Sequence, residues 1–178
     1  MIQYFRNCLE VTALRRFTFV AGSTNKKIVL RRFDRESVQG FVNPQSYLQP
    51  GGVEVLTTSG TVHLIPYDEV KVVHFVRDFE PGDPWAEHRV FLNRPKANGL
   101  WVRMRFRDGE VMDGMLSNNL LLLDPYGFTV VPPTAGSSQR AFVPRTALQE
   151  LQVVGVVGSP VRPAKPKPKP KEQIELFE

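Results

Sequence analysis

One cysteine, Cys8, stands in 178 residues. A single thiol closes no internal disulfide, and no other thiols or histidines flank it at the spacing of a zinc site, so a reducing compartment is the expectation. No stretch approaches the roughly 18 consecutive apolar residues of a membrane-crossing helix. The expected location is therefore the cytoplasm, with no membrane partner. Histidine is scarce too: His63, His74 and His88 lie far apart, and the first two sit in strand-like runs without acidic neighbours at ligand spacing. There is no phosphate-cradling Gly-rich loop and no Gly-x-Ser-x-Gly elbow. "GDPWAEH" gathers Asp83, Glu87 and His88, but in a Pro-rich stretch that reads as a solvated linker. With no convergent reactive set, the expectation is a protein that is not an enzyme and uses neither metal nor cofactor. Helix signals are few as well, confined to "SVQGF" and "RTALQEL", the latter as a single turn.

What is present is an ordinary globular composition, 42% hydrophobic and 23% charged, enough for a real core in one domain or two small ones. A formal net charge of +5 suits an anionic partner if it gathers on one face, although part of it belongs to a closing Lys/Pro run. Near the start, "LRRFTFVAGS" is similar to a twin-arginine export signal. Thr18 occupies the place of a Phe, and the apolar run stops at Gly22, so no signal is expected.

Two segments read as copies. "KKIVLRRFDRESVQGFVNP" lays over "LWVRMRFRDGEVMDGMLSN", aligning Asp34 with Asp108, Glu36 with Glu110 and Gly40 with Gly114. Downstream, Ile65-Pro66 meets Val143-Pro144, Val70 meets Leu148 and Val73 meets Leu151. Each copy is a series of short Val, Ile, Leu, Phe and Thr runs broken by Gly, Pro, Asn and Asp, the pattern of β-strands. In "VRMRFRDGEVMDGML" the apolar Val102, Met104 and Phe106 alternate with Arg103, Arg105 and Arg107, after which Asp108-Gly109 reads as the positive-φ pair of a tight hairpin. Gly40 and Gly114 interrupt strands where backbones approach closely or bend sharply, and Pro66 and Pro144 should mark strand ends. About five short strands per copy are too few for a stable open sheet with one wet face. The expected fold is mainly β: two tandem small barrels formed by internal duplication, followed by a disordered Lys/Pro-rich tail. The expected organisation is an extension over 1–25, barrel one over 26–77, a linker over 78–99 in which "HRVFL" adds a strand, barrel two over 100–158, and a flexible tail over 159–178.

The stretch "VRMRFRDGEVMDGMLSNNLLLLDPYGFTVV" resembles the first motif of the Sm-like barrels, in which a strand, an Asp-Gly turn, a strand ending near Gly and a "D…NLLL" strand follow one another. Asp108, Gly109, Gly114, Asn118 and Leu120 to Leu122 carry the likeness. The second Sm motif is absent, its place taken by "AFVPRTALQEL" with neither Gly nor Asn. The resemblance thus implies an SH3/Sm-like barrel fold for the two tandem copies and not the uridine pocket. The tandem arrangement also resembles bacterial proteins of unassigned function.

Arg103, Arg105 and Arg107, with Trp101 beside them, form a candidate nucleic-acid contact, the guanidiniums tracking phosphates and the indole stacking a base. Arg31, Arg32 and Arg35 occupy the equivalent place in copy one. The plainer reading is a cationic outer face that keeps a sheet soluble. Arg31 and Arg35 also match the Arg-x-x-x-Arg element of cyclic-di-GMP receptors of the PilZ type, but Ser37 and Gly40 overlap that element instead of lying downstream of it.

From Ser159 the chain becomes "SPVRPAKPKPKPK", alternating cation and proline that cannot build a core and extends as polyproline II. This spacer presents "QIELF". Gln173, Ile174, Leu176 and Phe177 resemble the bacterial sliding-clamp-binding motif, Gln-Leu-Ser/Asp-Leu-Phe, in which Leu and Phe fill an apolar cleft and Gln hydrogen-bonds at its rim. The expected function is a non-enzymatic adaptor tethered to the sliding clamp. The alternative is an Sm-like RNA- or ligand-binding module whose tail docks on a sheet edge of its own barrel or of a second copy, which leaves homo-oligomers open.

Overall fold

The computed structural model describes residues 25–79, 89–119, 121, 123–133 and 138–158. Residues 1–24 of the expected extension over 1–25, the tail over 159–178 with Gln173, Ile174, Leu176 and Phe177, and the trio Asp83, Glu87 and His88 lie outside the described residues. Eleven strands follow in chain order: β1 (Lys26–Arg32), β2 (Ser37–Val42), β3 (Leu48–Gln49), β4 (Gly52–Thr57), β5 (Val62–Ile65), β6 (Val70–Val76), β7 (Gly99–Phe106), β8 (Val111–Leu116), β9 (Gly127–Val131), β10 (Ser138–Pro144) and β11 (Leu148–Val157). Every pairing among them is antiparallel. Together they make one sheet in the order β11-β7-β8-β9-β10-β6-β1-β2-β4-β3, with β5 also on β4.

Alternation builds the strands as the residue pattern requires. Val102, Met104 and Phe106 on β7 are fully buried, while Arg105 between them is exposed. Both expected prolines close strands: β5 stops at Ile65 before Pro66, and β10 ends on Pro144. Gly40 and Gly114 occur where backbones or side chains press close. A Cβ on Gly40 would sit 2.5 Å from the Leu56 carbonyl oxygen, and one on Gly114 would sit 2.8 Å from Val130.

The two runs repeat the same local hydrogen bonds. Arg32 N–H donates to Glu36 O as Phe106 N–H does to Glu110 O, and Arg35 N–H donates to Arg32 O as Gly109 N–H does to Phe106 O. Asp34 and Asp108 each accept from the amide two residues on, that of Glu36 and of Glu110. In each run the last strand returns to the first, β6 to β1 and β11 to β7.

Four local expectations are corrected. Asp108-Gly109 is not a two-residue turn with two positive φ angles. Among these residues only Gly109 is left-handed, at φ 82°, and Arg107-Asp108-Gly109 form a three-residue loop. "SVQGF" is strand β2, because its backbone is laddered to β1 on one side and to β4 on the other. The "HRVFL" segment makes no strand over its described residues, since Arg89 O accepts from the Asp113 amide at 2.7 Å without forming a ladder. Ser117 to Asn119 and Leu121 are not strand either: Ser117 Oγ and Asn119 Oδ1 take the amides of Asn119 and Leu121, so local side-chain turns replace the ladder. Arg145–Ala147 form a single 3-10 turn before β11.

Two core clusters result. One gathers Ile28, Leu30, Val53, Val55 and Val73 from the first run, the other Val102, Met104, Phe106, Met112 and Val143 from the second. Each receives a residue from the opposite run, Phe142 entering the first cluster and Val72 the second. No helix among the described residues is long and apolar enough to cross a membrane.

Candidate functional site

The arginine stripe is the densest group of candidate residues within the described structure. Arg103 lies directly opposite Asp113 in the β7–β8 register, and Asp113 is fully buried. Its carboxylate accepts from Arg103 Nε at 2.7 Å and Nη2 at 3.1 Å, from Trp101 Nε1 at 3.2 Å and from the Phe91 amide at 3.3 Å. That hydrogen bond, with the charge of Asp113, holds the Arg103 guanidinium still further above its ordinary value. The Phe91 ring meets the Trp101 indole edge to face with centroids 6.0 Å apart. Asp113 thereby pins residues 89–91 onto the second run, and two stripe members serve as its partners.

The remaining candidates are placed as follows. Arg105 faces Glu150 across the β7–β11 ladder, 3.9 Å apart and more than half exposed, a pairing of little energy. Arg107 donates to the Asp68 carbonyl at 2.6 Å and lies over the Phe33 ring at 4.4 Å. Arg32 bonds Glu69 at 2.5 Å, with Glu36 and Asp34 at 3.4 and 3.5 Å. Arg31 lies on β1, and Arg35 occupies the hairpin tip with φ 73°. The structure thus brings Trp101 and Arg103 onto one carboxylate and gives Arg32 and Arg107 partners within the chain. Arg35, Arg105 and Arg107 are exposed, whereas Arg31, Arg32, Trp101 and Arg103 are half-buried.

Two further groups carry no signal in residue spacing. Lys71, 3% exposed, forms ion pairs with Asp108 and Glu110 at the turn of the other run, and its ammonium lies 5.3 Å from the Phe106 ring centroid. His74 is buried where β6 meets β10, with Nδ1 3.1 Å from Ser138 Oγ. Burial, with the nearby Arg31 charge, pushes its pKa down from 6.5 to about 4. His63 sits on β5, exposed and far from this position in the sheet. No group of three or more His, Cys, Asp or Glu side chains is placed to hold a metal among the described residues.

Fold and site together define a mainly β, antiparallel protein in which most described ion pairs lie within one run, while Lys71 and Arg107 bond across the two. Residues 24–155 match the family profile described as "Family of unknown function (DUF6982)", and the chain belongs to that family. The match ends before the Lys/Pro run and its "QIELF" segment. No curated protein and no solved structure matches this chain significantly.

Proposed function

We propose that the chain is a non-enzymatic adaptor, two tandem Sm-like small barrels tethered through Gln173, Ile174, Leu176 and Phe177 to a bacterial sliding clamp. The observation that carries the reading is the "QIELF" segment behind alternating Lys and Pro: apolar side chains at the tip of a spacer that cannot pack into a core. The barrel reading is supported by the return of each last strand to its first and by the hydrogen bonds that recur in both runs. The adaptor reading is further supported by where the polar groups point. Among the described residues Asp113 is held by Arg103 and Trp101, Lys71 by Asp108 and Glu110, and His74 lies against Ser138, three separate groups each engaged within the chain. An RNA-binding module ranks second because Trp101 and Arg103, its proposed stacking and phosphate contacts, both bond Asp113.

The test is titration of the full chain against purified bacterial sliding clamp, beside a Leu176→Ala/Phe177→Ala variant. Saturable binding with Kd on the order of micromolar, weakened more than about tenfold in the variant, is the expected result. No binding up to about millimolar, or equal binding by the variant, overturns the tether.

A further inference from the structure

The two runs are joined at one seam. There β6, the last strand of the first run, pairs with β10 in the register Phe142↔Val73, Ala141↔His74, Arg140↔Phe75 and Ser138↔Val76. The strands equivalent to these two in the opposite runs carry no such neighbour. Among the described residues β5 pairs with β4 alone and β11 with β7 alone, so each leaves an edge without a strand partner, on β11 with only Arg94 Nη2 donating to the Val156 carbonyl at 3.2 Å from outside the ladder.

Those edges are the counterparts of the seam strands. β5 leads into Ile65-Pro66 as β10 leads into Val143-Pro144, and Leu151 on β11 takes the place of Val73 on β6. Transposing the seam register sets Leu64 opposite Leu151, His63 opposite Gln152 and Val62 opposite Val153. Directly opposed residues of an antiparallel pair share a face, so both apolar pairs fall on one face and the polar pair on the other. Leu64, Val62 and Val153 are 53%, 48% and 52% exposed, whereas Phe142, the counterpart of Leu64, is fully buried across the seam. Leu151 to Val157 contain no charge and no proline, the devices that ordinarily keep an edge strand from pairing.

We propose that β5 of one molecule pairs with β11 of a second copy, repeating the internal seam between molecules. The two edges differ, so the interface is heterologous and assembly runs head to tail, into open chains or closed rings. Gln149 stands where Lys71 stands at the seam, so the buried ion pair is not repeated and the contact is the weaker of the two. The inference rests on the equivalence of the two runs and not on the "QIELF" segment, so the clamp titration can fail while this assembly holds.

Sedimentation velocity of the full chain as a concentration series tests it, with Leu64→Glu and Val153→Glu prepared separately. Both side chains are exposed, and unchanged melting temperatures verify that both variants fold. Wild type is expected to associate with rising concentration, and each variant alone to remain monomeric over at least a tenfold higher range. Mixed, the two variants should form a dimer and nothing larger, since one retains β11 and the other β5. A wild-type chain that stays monomeric up to about 1 mM overturns the proposal. So does association that survives Leu64→Glu, which would place β11 against itself or another surface in the contact.

Discussion

Lys71 and His74 show how burial changes the meaning of a single side chain. Lys71 is nearly sealed from water while Asp108 and Glu110 remain 35% and 40% exposed, so the ion pairs are asymmetric. Removing the lysine returns two half-solvated carboxylates to water. Removing the carboxylates leaves a buried ammonium without those counter-charges. Lys71→Met should therefore cost only about 1 kcal/mol, and Asp108→Asn/Glu110→Gln about 3–5 kcal/mol, measured by urea denaturation. His74 has a folded pKa of about 4 against 6.5 in the unfolded chain. Between those values the unfolded state binds a proton that the folded state refuses. Stability is thus complete above pH 6.5 and falls as pH drops toward 4, by roughly 3 kcal/mol from this group. Melting curves should show that limb in the native chain and a shallower one in His74→Gln. Neither residue was legible as important from its neighbours in the sequence, because the hydrogen-bonding partners named for each, Asp108 and Glu110 for Lys71 and Ser138 for His74, come from the other run.

Among the elements, the two hairpin tips invite direct comparison. Both use a three-residue loop closed by equivalent hydrogen bonds, but the left-handed position holds Gly109 in one and Arg35 in the other. A side chain at φ 73° crowds its own backbone, a strain of about 1 kcal/mol that glycine avoids. Arg35→Gly should leave stability unchanged or raise it by up to about 1 kcal/mol, read from the urea midpoint. The variant also removes an exposed candidate phosphate contact without harming the fold, which separates a structural arginine from a binding one. The strands themselves were legible in alternation, Gly spacing and the prolines, as β7 and the ends of β5 and β10 show. The "NLLL" and "HRVFL" stretches were not, since apolar content marks burial or strand alike until a partner ladder is known.

For the whole molecule, the β6–β10 seam makes the two runs one body. Phe142, carried by the second run, is fully buried in the cluster of the first and meets Tyr47 edge to face with centroids 5.8 Å apart. Phe142→Ala should cost about 3–5 kcal/mol by loss of buried area and the cavity left behind. Because both runs share that contact, wild type should unfold in a single transition. A variant that splits it into two by calorimetry would show the seam to be what couples them.

By itself, the residue order determined the β class, the strand ends at Pro66 and Pro144 and the close approaches at Gly40 and Gly114. These follow from period-two alternation and turn chemistry, which act over a few residues. Only the tertiary structure decided that Asp113 would be buried as the partner of Trp101 and Arg103, that Lys71 would span the runs, and that β5 and β11 would be left as edges. Those outcomes depend on which distant strands pair. Pairing is settled by the summed burial of many side chains against the entropy of closing long loops, a balance that no local pattern records.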